Sequence, residues 1–148
     1  MDDERYMRLA LDAAREALEA GEAPVGCVVV RDGRVIGRAH NQRETKGDPT
    51  AHAEVLALRT AARAAGSWRL DGAAVYVTLE PCCMCAGALV NARVERLIYG
   101  ALAPKSGACE SLYRIPEDQR LNHRVQVRGG VCAEEAQALL KDFFEPRR

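Results

Sequence analysis

Apolar residues recur at helical spacing near both ends of the chain. Residues 3–20 present one apolar face, which is followed by Gly21 and consists of Met7, Leu11, Ala14 and Leu18. Intervals of three and four residues predict an amphipathic helix that ends at this glycine. Residues 133–144 show the same spacing, which predicts a closing helix.

A different pattern follows the first helix. Residues 25–30 form a β-branched run, and residues 35–39 form a second short apolar run. The residues between them, 31–34, contain Asp32-Gly33 and predict a tight turn, so the two runs are expected to pair as a hairpin. The polar residues 42–49 predict a loop.

The centre of the chain alternates helix and strand patterns. Asp48-Pro49 offers a cap and a first-turn proline, which predicts a helix that continues through residues 51–65. A strand at 73–79, a helix at 81–91 and a strand at 94–99 follow. Strands joined through a helix are expected to be parallel, with a right-handed crossover. Residues 123–127 predict a last strand.

This order of elements predicts an α/β fold in a single domain, residues 1–148, with a central sheet and helices on both faces. No apolar run reaches the length of a membrane-spanning helix, and the N-terminus is acidic, unlike a secretory signal. We therefore expect a cytoplasmic protein that has no membrane partner.

Charge is balanced over the whole chain but not along it. The sequence has 21 basic and 21 acidic side chains, which gives no general indication of nucleic-acid binding. Residues 1–22 carry seven acidic and three basic side chains, whereas residues 91–128 carry seven basic and four acidic ones. The basic stretch is compatible with a mild anionic-substrate face, but charge alone favours a solvated surface.

Three of the six cysteines are clustered at 82, 83 and 85. In a reducing cytosol, clustered cysteines more often serve metal or redox chemistry than disulfides. Pro81 predicts a helix start here, so Cys82 and Cys85 lie on one helix face, where the helix N-terminus favours thiolates. An imidazole from His52 completes three ligands, and the open fourth position is typical of catalytic zinc.

Glu54 then acquires a chemical use. Zinc lowers the pKa of its water from about 16 to roughly 7, and a nearby carboxylate can accept that proton and return it to a leaving amine. Residues 52 and 54 are about 200° apart on a regular helix. His52 must therefore lie at the very start of its helix if it and Glu54 are to face one metal ion.

Two other interpretations of these residues stay open. Cys82 and Cys85 at a helix start also fit a thioredoxin-like redox pair, which predicts a reversible disulfide and no metal. A catalytically silent RNA-binding or scaffold protein with structural zinc needs a fourth ligand, for which His40 and His123 are the candidates. His-x-Glu followed by Pro-Cys-x-x-Cys is, however, a deaminase signature.

At these residues the chain resembles the bacterial tRNA-specific adenosine deaminases of the cytidine deaminase-like superfamily. The similar segments lie at 23–26 (APVG), 39–41 (AHN), 49–54 (PTAHAE), 66–70 (GSWRL), 76–82 (YVTLEPC), 84–88 (MCAGA), 122–124 (NHR) and 143–144 (FF). The zinc motif indicates the superfamily, and the other segments indicate the tRNA branch.

The resemblance implies a three-layer α/β/α sandwich around a five-stranded mixed sheet, one Zn²⁺ per chain and a homodimer. It implies that the wobble adenosine of an arginine tRNA anticodon stem-loop is hydrolysed to inosine, with Glu54 moving protons and His52, Cys82 and Cys85 holding the zinc. The substrate contacts that it implies are Asn41, Pro24, Val25, the backbone N–H of Ala53, the carbonyl of Leu79, Lys105 and Phe143.

The chain departs from the family at two positions beside the expected RNA site. Ala103 stands where the family has an acidic residue, and Glu110 stands where it often has a small one. These departures keep a second enzymatic hypothesis open, namely the deamination of a free base or nucleoside, such as guanine or cytosine, on the same zinc scaffold.

Overall fold

The computed structural model describes residues 2–145, which contain five strands and five α-helices. The strands are β1 (Gly26–Arg31), β2 (Arg34–His40), β3 (Ala74–Leu79), β4 (Arg96–Ala101) and β5 (Gln126–Arg128). The helices are α1 (Asp3–Glu19), α2 (Arg43–Lys46), α3 (Ala53–Ala65), α4 (Cys83–Ala92) and α5 (Ala133–Phe144).

The strands form one mixed sheet in the order β2-β1-β3-β4-β5. The predicted hairpin is confirmed, because β1 pairs antiparallel with β2 across a turn in which Asp32 and Gly33 have φ of 53° and 74°. Positive φ at both central residues is the geometry of a type I′ turn. The predicted parallel pairing is also confirmed, because β3 and β4, joined through α4, are parallel.

Helices cover both faces of the sheet, as the three-layer prediction requires. One core lies between the sheet and the helices α3 and α4, and the other lies between the sheet and the helices α1 and α5. Gly37 of β2 lets α3 come close, since a Cβ there would lie 2.4 Å from the carbonyl oxygen of Ala57. The sheet therefore holds the first residues of α3 and α4 at the end where β3 finishes.

Two predicted boundaries are wrong. The helix predicted to start at Asp48-Pro49 begins at Ala53, because the Asp48 carboxylate accepts hydrogen bonds from the backbone N–H and hydroxyl of Thr50, both at 2.8 Å, and so closes a local turn. The last strand is limited to Gln126–Arg128, and His123 lies before it. The loop predicted at 42–49 contains the one-turn helix α2.

In the described part of the chain, no helix combines the length and the apolar character that crossing a membrane requires.

Candidate metal and active site

Two helix starts supply three potential metal ligands. His52 precedes α3 with an extended backbone, at φ −77° and ψ 152°, and Cys82 precedes α4 in the same way, at φ −75° and ψ 178°. Cys85 follows in the first turn of α4. Because His52 lies before the first helical residue, its side chain is not constrained to the opposite face from Glu54, which meets the geometric condition set by the sequence.

The three side chains converge on one point. His52 Nδ1 lies 3.7 Å from Cys82 Sγ and 3.5 Å from Cys85 Sγ, and all three ligand atoms lie within 4.8 Å of one another. A tetrahedral zinc bonds sulfur at about 2.3 Å and nitrogen at about 2.0 Å, which places such a nitrogen about 3.5 Å from each sulfur. The donor set and its spacing therefore fit a zinc ion.

Neither candidate for a fourth ligand belongs to this cluster. The ring of His40 contacts the carbonyl oxygen of Asn41 at 2.9 Å, and that of His123 contacts the carbonyl oxygen of Val94 at 2.8 Å. Within residues 2–145 the cluster comprises only His52, Cys82 and Cys85. Three ligands leave one tetrahedral position for water or substrate, which favours a catalytic over a structural role.

The electrostatics of the two thiols also favour a bound cation. Hydrogen bonds from Cys85 and then His52 lower the pKa of the Cys82 thiol to about 3. Hydrogen bonding to Cys82, followed by burial, raises the pKa of the Cys85 thiol well above its usual range. One thiolate thus forms readily, and a second one beside it requires a positive charge between them.

Glu54 lies in the first turn of α3 and is only 4% exposed. Burial raises the pKa of its carboxyl to about 7. Glu54 borders a cavity of about 550 Å³ together with His52 and Cys82. A buried carboxyl beside a potential metal ion, at the wall of a cavity of this size, can exchange protons with a small-molecule group bound there.

Most of the predicted substrate contacts lie in this cavity wall, namely Asn41, Val25, Ala53, Leu79 and Lys105. Pro24 and Phe143 do not line it. Phe144 does, and its ring packs edge-on against that of Phe143, with the centroids 5.0 Å apart. The aromatic residue that α5 brings to the cavity is therefore the neighbour of the one predicted.

Other lining residues were not identified from the sequence, and they include Arg43, Glu80, Leu102, Leu140 and Phe144. Leu102 follows a parallel strand, and ligand sites lie beyond the carboxyl ends of such strands, so this position offered a signal. Leu140 and Phe144 are one helical turn apart on α5, but no sequence pattern indicates that α5 returns to this cavity.

Asn41 lines the cavity, and two hydrogen bonds hold its side-chain amide. The side chain is 7% exposed, its Nδ2 donates to the carbonyl oxygen of Ala23 at 3.4 Å, and its Oδ1 accepts from the backbone N–H of Arg43 at 3.1 Å. These bonds use one of the two amide hydrogens, so Asn41 retains a donor for a ligand.

The family model and two similar relatives that match this chain are all deaminases. Residues 1–148 match the MafB19-like deaminases. A tRNA-specific adenosine deaminase of Bacillus subtilis (strain 168) is 48% identical over 146 residues, which cover 99% of this chain and 91% of that protein. A tRNA-specific adenosine deaminase of Haemophilus influenzae is 46% identical over 147 residues, covering 99% of this chain and 85% of that protein.

Solved structures give the same result. A structure from a study of A-to-I editing by tRNA:A34 deaminases at the wobble position of transfer RNA superposes with a TM-score of 0.88 at 47% identity, covering 92% of this chain and 99% of that one. A guanine deaminase of Bacillus subtilis superposes with a TM-score of 0.66 at 41% identity, covering 69% of this chain and 66% of that one. With a metal-ligand cluster, a buried carboxyl and relatives that match nearly its whole length, the chain belongs to the MafB19-like deaminase family, among the bacterial tRNA-specific adenosine deaminases.

Proposed function

We propose that this protein is a zinc-dependent hydrolase that converts the wobble adenosine of a tRNA anticodon loop to inosine. The observation that carries the proposal is the His52, Cys82 and Cys85 cluster beside buried Glu54, in the wall of a cavity with a cationic rim. Arg43 and Lys105 of that rim are exposed and form no ion pair within residues 2–145.

The three ligands are proposed to hold one Zn²⁺ through Nδ1 of His52 and the sulfurs of Cys82 and Cys85. When bound, zinc supplies a hydrolytic nucleophile near neutral pH by lowering the pKa of water to about 7. The start of α4 aids the two cysteines, since a helix N-terminus favours negative charge.

Glu54 is the proposed proton carrier. Its carboxylate accepts one proton of the attacking water and delivers it to the ring nitrogen N1 of adenine. It then takes the remaining proton from the hydroxyl on C6 and passes it to the amino group, which leaves as ammonia while C6 becomes the carbonyl carbon of inosine. Because Glu54 is buried, its carboxyl is shielded from bulk water and stays directed at the cavity, where the reacting base is proposed to lie.

Four groups are proposed to orient the base. The free amide hydrogen of Asn41 and the backbone N–H of Ala53 donate to purine nitrogens, and the carbonyl of Leu79 accepts from the amino group. Val25 supplies an apolar wall beside the ring. These assignments rest on the position of each residue in the cavity wall.

Deamination of free guanine is the second candidate, because a guanine deaminase of known structure is 41% identical to this chain over 69% of its length. The tRNA substrate is preferred because tRNA-specific relatives align over 97–99% of the chain. The cationic rim also favours a substrate that carries phosphates outside the cavity. A free base has no such groups.

Zinc-loaded protein incubated with an adenosine-34 anticodon stem-loop should form inosine, detected by nucleoside mass spectrometry, and release little ammonia from free guanine. Ammonia from guanine without inosine in the RNA would reverse the choice of substrate. Metal analysis should give about one zinc per chain, whereas a reversible Cys82–Cys85 disulfide without metal would support the redox interpretation.

Glu54→Gln tests the proton-carrier role within the same assay. The amide has the shape of the carboxyl but cannot carry the proton, so kcat should fall by about 10²- to 10⁴-fold with zinc content unchanged. Equal turnover by the parent and by Glu54→Gln would exclude this mechanism. An exposed control, Glu117→Gln, should retain the parent rate.

Three finer features complete the proposal. A tRNA substrate implies activity in the cytoplasm, and the family resemblance implies a homodimer and an arginine tRNA. Light scattering coupled to size-exclusion chromatography tests whether the protein is a homodimer. A panel of tRNA transcripts tests whether arginine tRNA is the preferred substrate.

A further inference from the structure

Four of the seven basic residues in the stretch 91–128 form ion pairs within the fold. Arg96 and Arg128 pair with Asp3, at 2.8 and 2.7 Å. Arg114 pairs with Glu117 and Arg120 with Asp118. Only Arg93, Lys105 and Arg124 of this stretch form no ion pair within residues 2–145, so the fold leaves the stretch less basic than the sequence indicates.

A second set of basic residues without an ion pair lies on α2 and α3. A second cavity, of about 440 Å³, lies between these helices and the edge strand β2. We call it the α3 groove and define it by Glu16, Arg38, His40, Lys46, Arg59 and Arg63. Arg38 is neutralised by Glu16, at 3.1 and 2.5 Å, whereas Lys46, Arg59 and Arg63 are exposed and have no ion pair within residues 2–145.

The Asp48 carboxylate lies outside the α3 groove but close to two of these cations. Hydrogen bonds from Thr50 lower the pKa of the Asp48 carboxyl most, and the nearby positive charges of Arg59 and Lys46 lower it further. Its oxygen accepts from the N–H and hydroxyl of Thr50. Because the Asp48 oxygen is already bound to Thr50, the net charge of the α3 groove remains positive.

The α3 groove begins where the active-site cavity ends. The helix α2 separates the two, since Arg43 at its start lines the cavity and Lys46 at its end lines the groove. Neighbouring residues divide in the same way, with Asn41 in the cavity and Gln42 in the groove. From Leu56 to Arg63 the groove follows about 10 Å of α3 away from the cavity.

We propose that the α3 groove binds backbone phosphates of the RNA whose target base occupies the cavity. This inference rests on the proposed function, because it assigns a second contact region to the same substrate. Arg59 and Arg63 are four residues apart on one helix face, so both guanidinium groups can meet one strand that leaves the cavity over α2.

The composition of the α3 groove favours a polyanion over a protein partner. Its lining is almost entirely charged or polar, and Leu56 is its only large apolar member. Stable protein interfaces depend on buried aromatic or apolar anchors, which this surface lacks. Phosphate binding needs only accessible cations along a strand.

The test is the salt dependence of RNA binding by Arg59→Ala/Arg63→Ala. A fluorescent anticodon stem-loop is titrated with zinc-loaded protein in the Glu54→Gln background, so that the RNA is not consumed. Affinity should fall by about tenfold or more, and the slope of log Kobs against log salt should become shallower by about 0.7 to 0.9 for each lost phosphate contact.

Arg31→Ala/Arg34→Ala is the matched control. It removes two arginines at the β1–β2 turn that do not line the α3 groove and have no ion pair within residues 2–145, and it should retain the parent affinity and slope. The proposal is overturned if the α3 variant binds like its parent, or if the control loses as much. Inosine formation by the active parent is measured separately, so failure of the proposed function remains distinguishable from failure of the α3 groove.

Discussion

At the scale of single residues, Glu80 has the most contacts of the charged groups that line the cavity. The side chain is 2% exposed and accepts hydrogen bonds from the backbone N–H groups of Ala103, Cys109, Glu110 and Ser111 and from the Ser111 hydroxyl. Burial opposes its ionisation, but these bonds lower the pKa of the carboxyl below its usual value. Glu80 thereby fixes residues 103–111 beside the start of α4.

Glu80→Gln should loosen this loop and slow the reaction. The amide replaces an acceptor oxygen with a donor that faces backbone N–H groups, and each charge-assisted bond is worth about 1.5–3 kcal/mol. We expect kcat/KM to fall about tenfold or more, with faster hydrogen exchange at residues 109–111 and unchanged zinc content. Parent exchange rates at these amides would contradict the anchoring role. Glu95→Gln provides an exposed control.

The two departures from the family pattern have clear positions in this loop. The backbone N–H of Ala103 donates to Glu80 at 3.0 Å, and the Glu110 carboxylate accepts from the Tyr99 hydroxyl at 2.5 Å. Ala103 lines the cavity, whereas Glu110 does not. Gly107 contacts the Glu80 carboxylate so closely that a Cβ would lie 2.2 Å from its carbon, which explains the glycine of Lys-Ser-Gly at 105–107.

At the scale of elements, the sequence predicted the candidate metal ligands and Glu54 more accurately than it predicted the ends of the helices. The metal ligands and Glu54 follow from residue types at short spacing, and the condition that His52 precede its helix is met. The start of α3 was predicted four residues early because Asp48 can serve equally as a helix cap or a turn residue. Sequence spacing cannot choose between these local hydrogen bonds.

The helix α2 shows how a distant residue can stabilise a short element. It has only four residues, and the buried Glu22 carboxylate accepts from the backbone N–H groups of Glu44 and Thr45, at 3.1 and 2.6 Å. These are N–H groups of the first turn, which lack partners inside the helix. An anion at a helix N-terminus also interacts favourably with its dipole.

Glu22→Gln should therefore weaken both contact regions that α2 separates. We expect a loss of about 1–3 kcal/mol of local stability, seen as faster hydrogen exchange at residues 44 and 45. Stem-loop binding should weaken as well, because Arg43 and Lys46 lose their fixed positions. Unchanged exchange and binding would show that α2 is held by other contacts. Glu19→Gln, at the exposed end of α1, is the matched control.

At the scale of the whole molecule, part of the uneven charge distribution in the sequence is explained by ion pairs between the acidic and the basic segment. The acidic N-terminal segment and the basic 91–128 segment meet at Asp3, which is 3% exposed. Its carboxylate accepts from Arg96, Arg128 and the Tyr76 hydroxyl, and so joins α1 to β3, β4 and β5. The sequence showed the imbalance, but only the fold shows that the two segments are joined by ion pairs at Asp3.

Asp3 should therefore contribute a pH-dependent part of the stability. Hydrogen bonds from Arg96, which outweigh burial, together with those from Tyr76 and Arg128, hold the pKa of Asp3 well below its usual value of 3.8. A carboxyl whose folded-state pKa is lowered stabilises the fold above its unfolded pKa, and this stabilisation is lost as the pH falls towards the folded value.

Asp3→Asn should lower the free energy of unfolding by about 2–3 kcal/mol at pH 7, because two arginines lose their charged partner. The difference from the parent should shrink below about pH 4, because Asp3 takes up a proton in the unfolded chain while its carboxylate in the folded parent stays ionised. Urea unfolding at both pH values measures this difference. Asp12→Asn, which breaks an exposed pair with Arg15, should change stability by less than about 1 kcal/mol. A difference that is the same at both pH values would assign the effect of Asp3 to packing, and not to its charge.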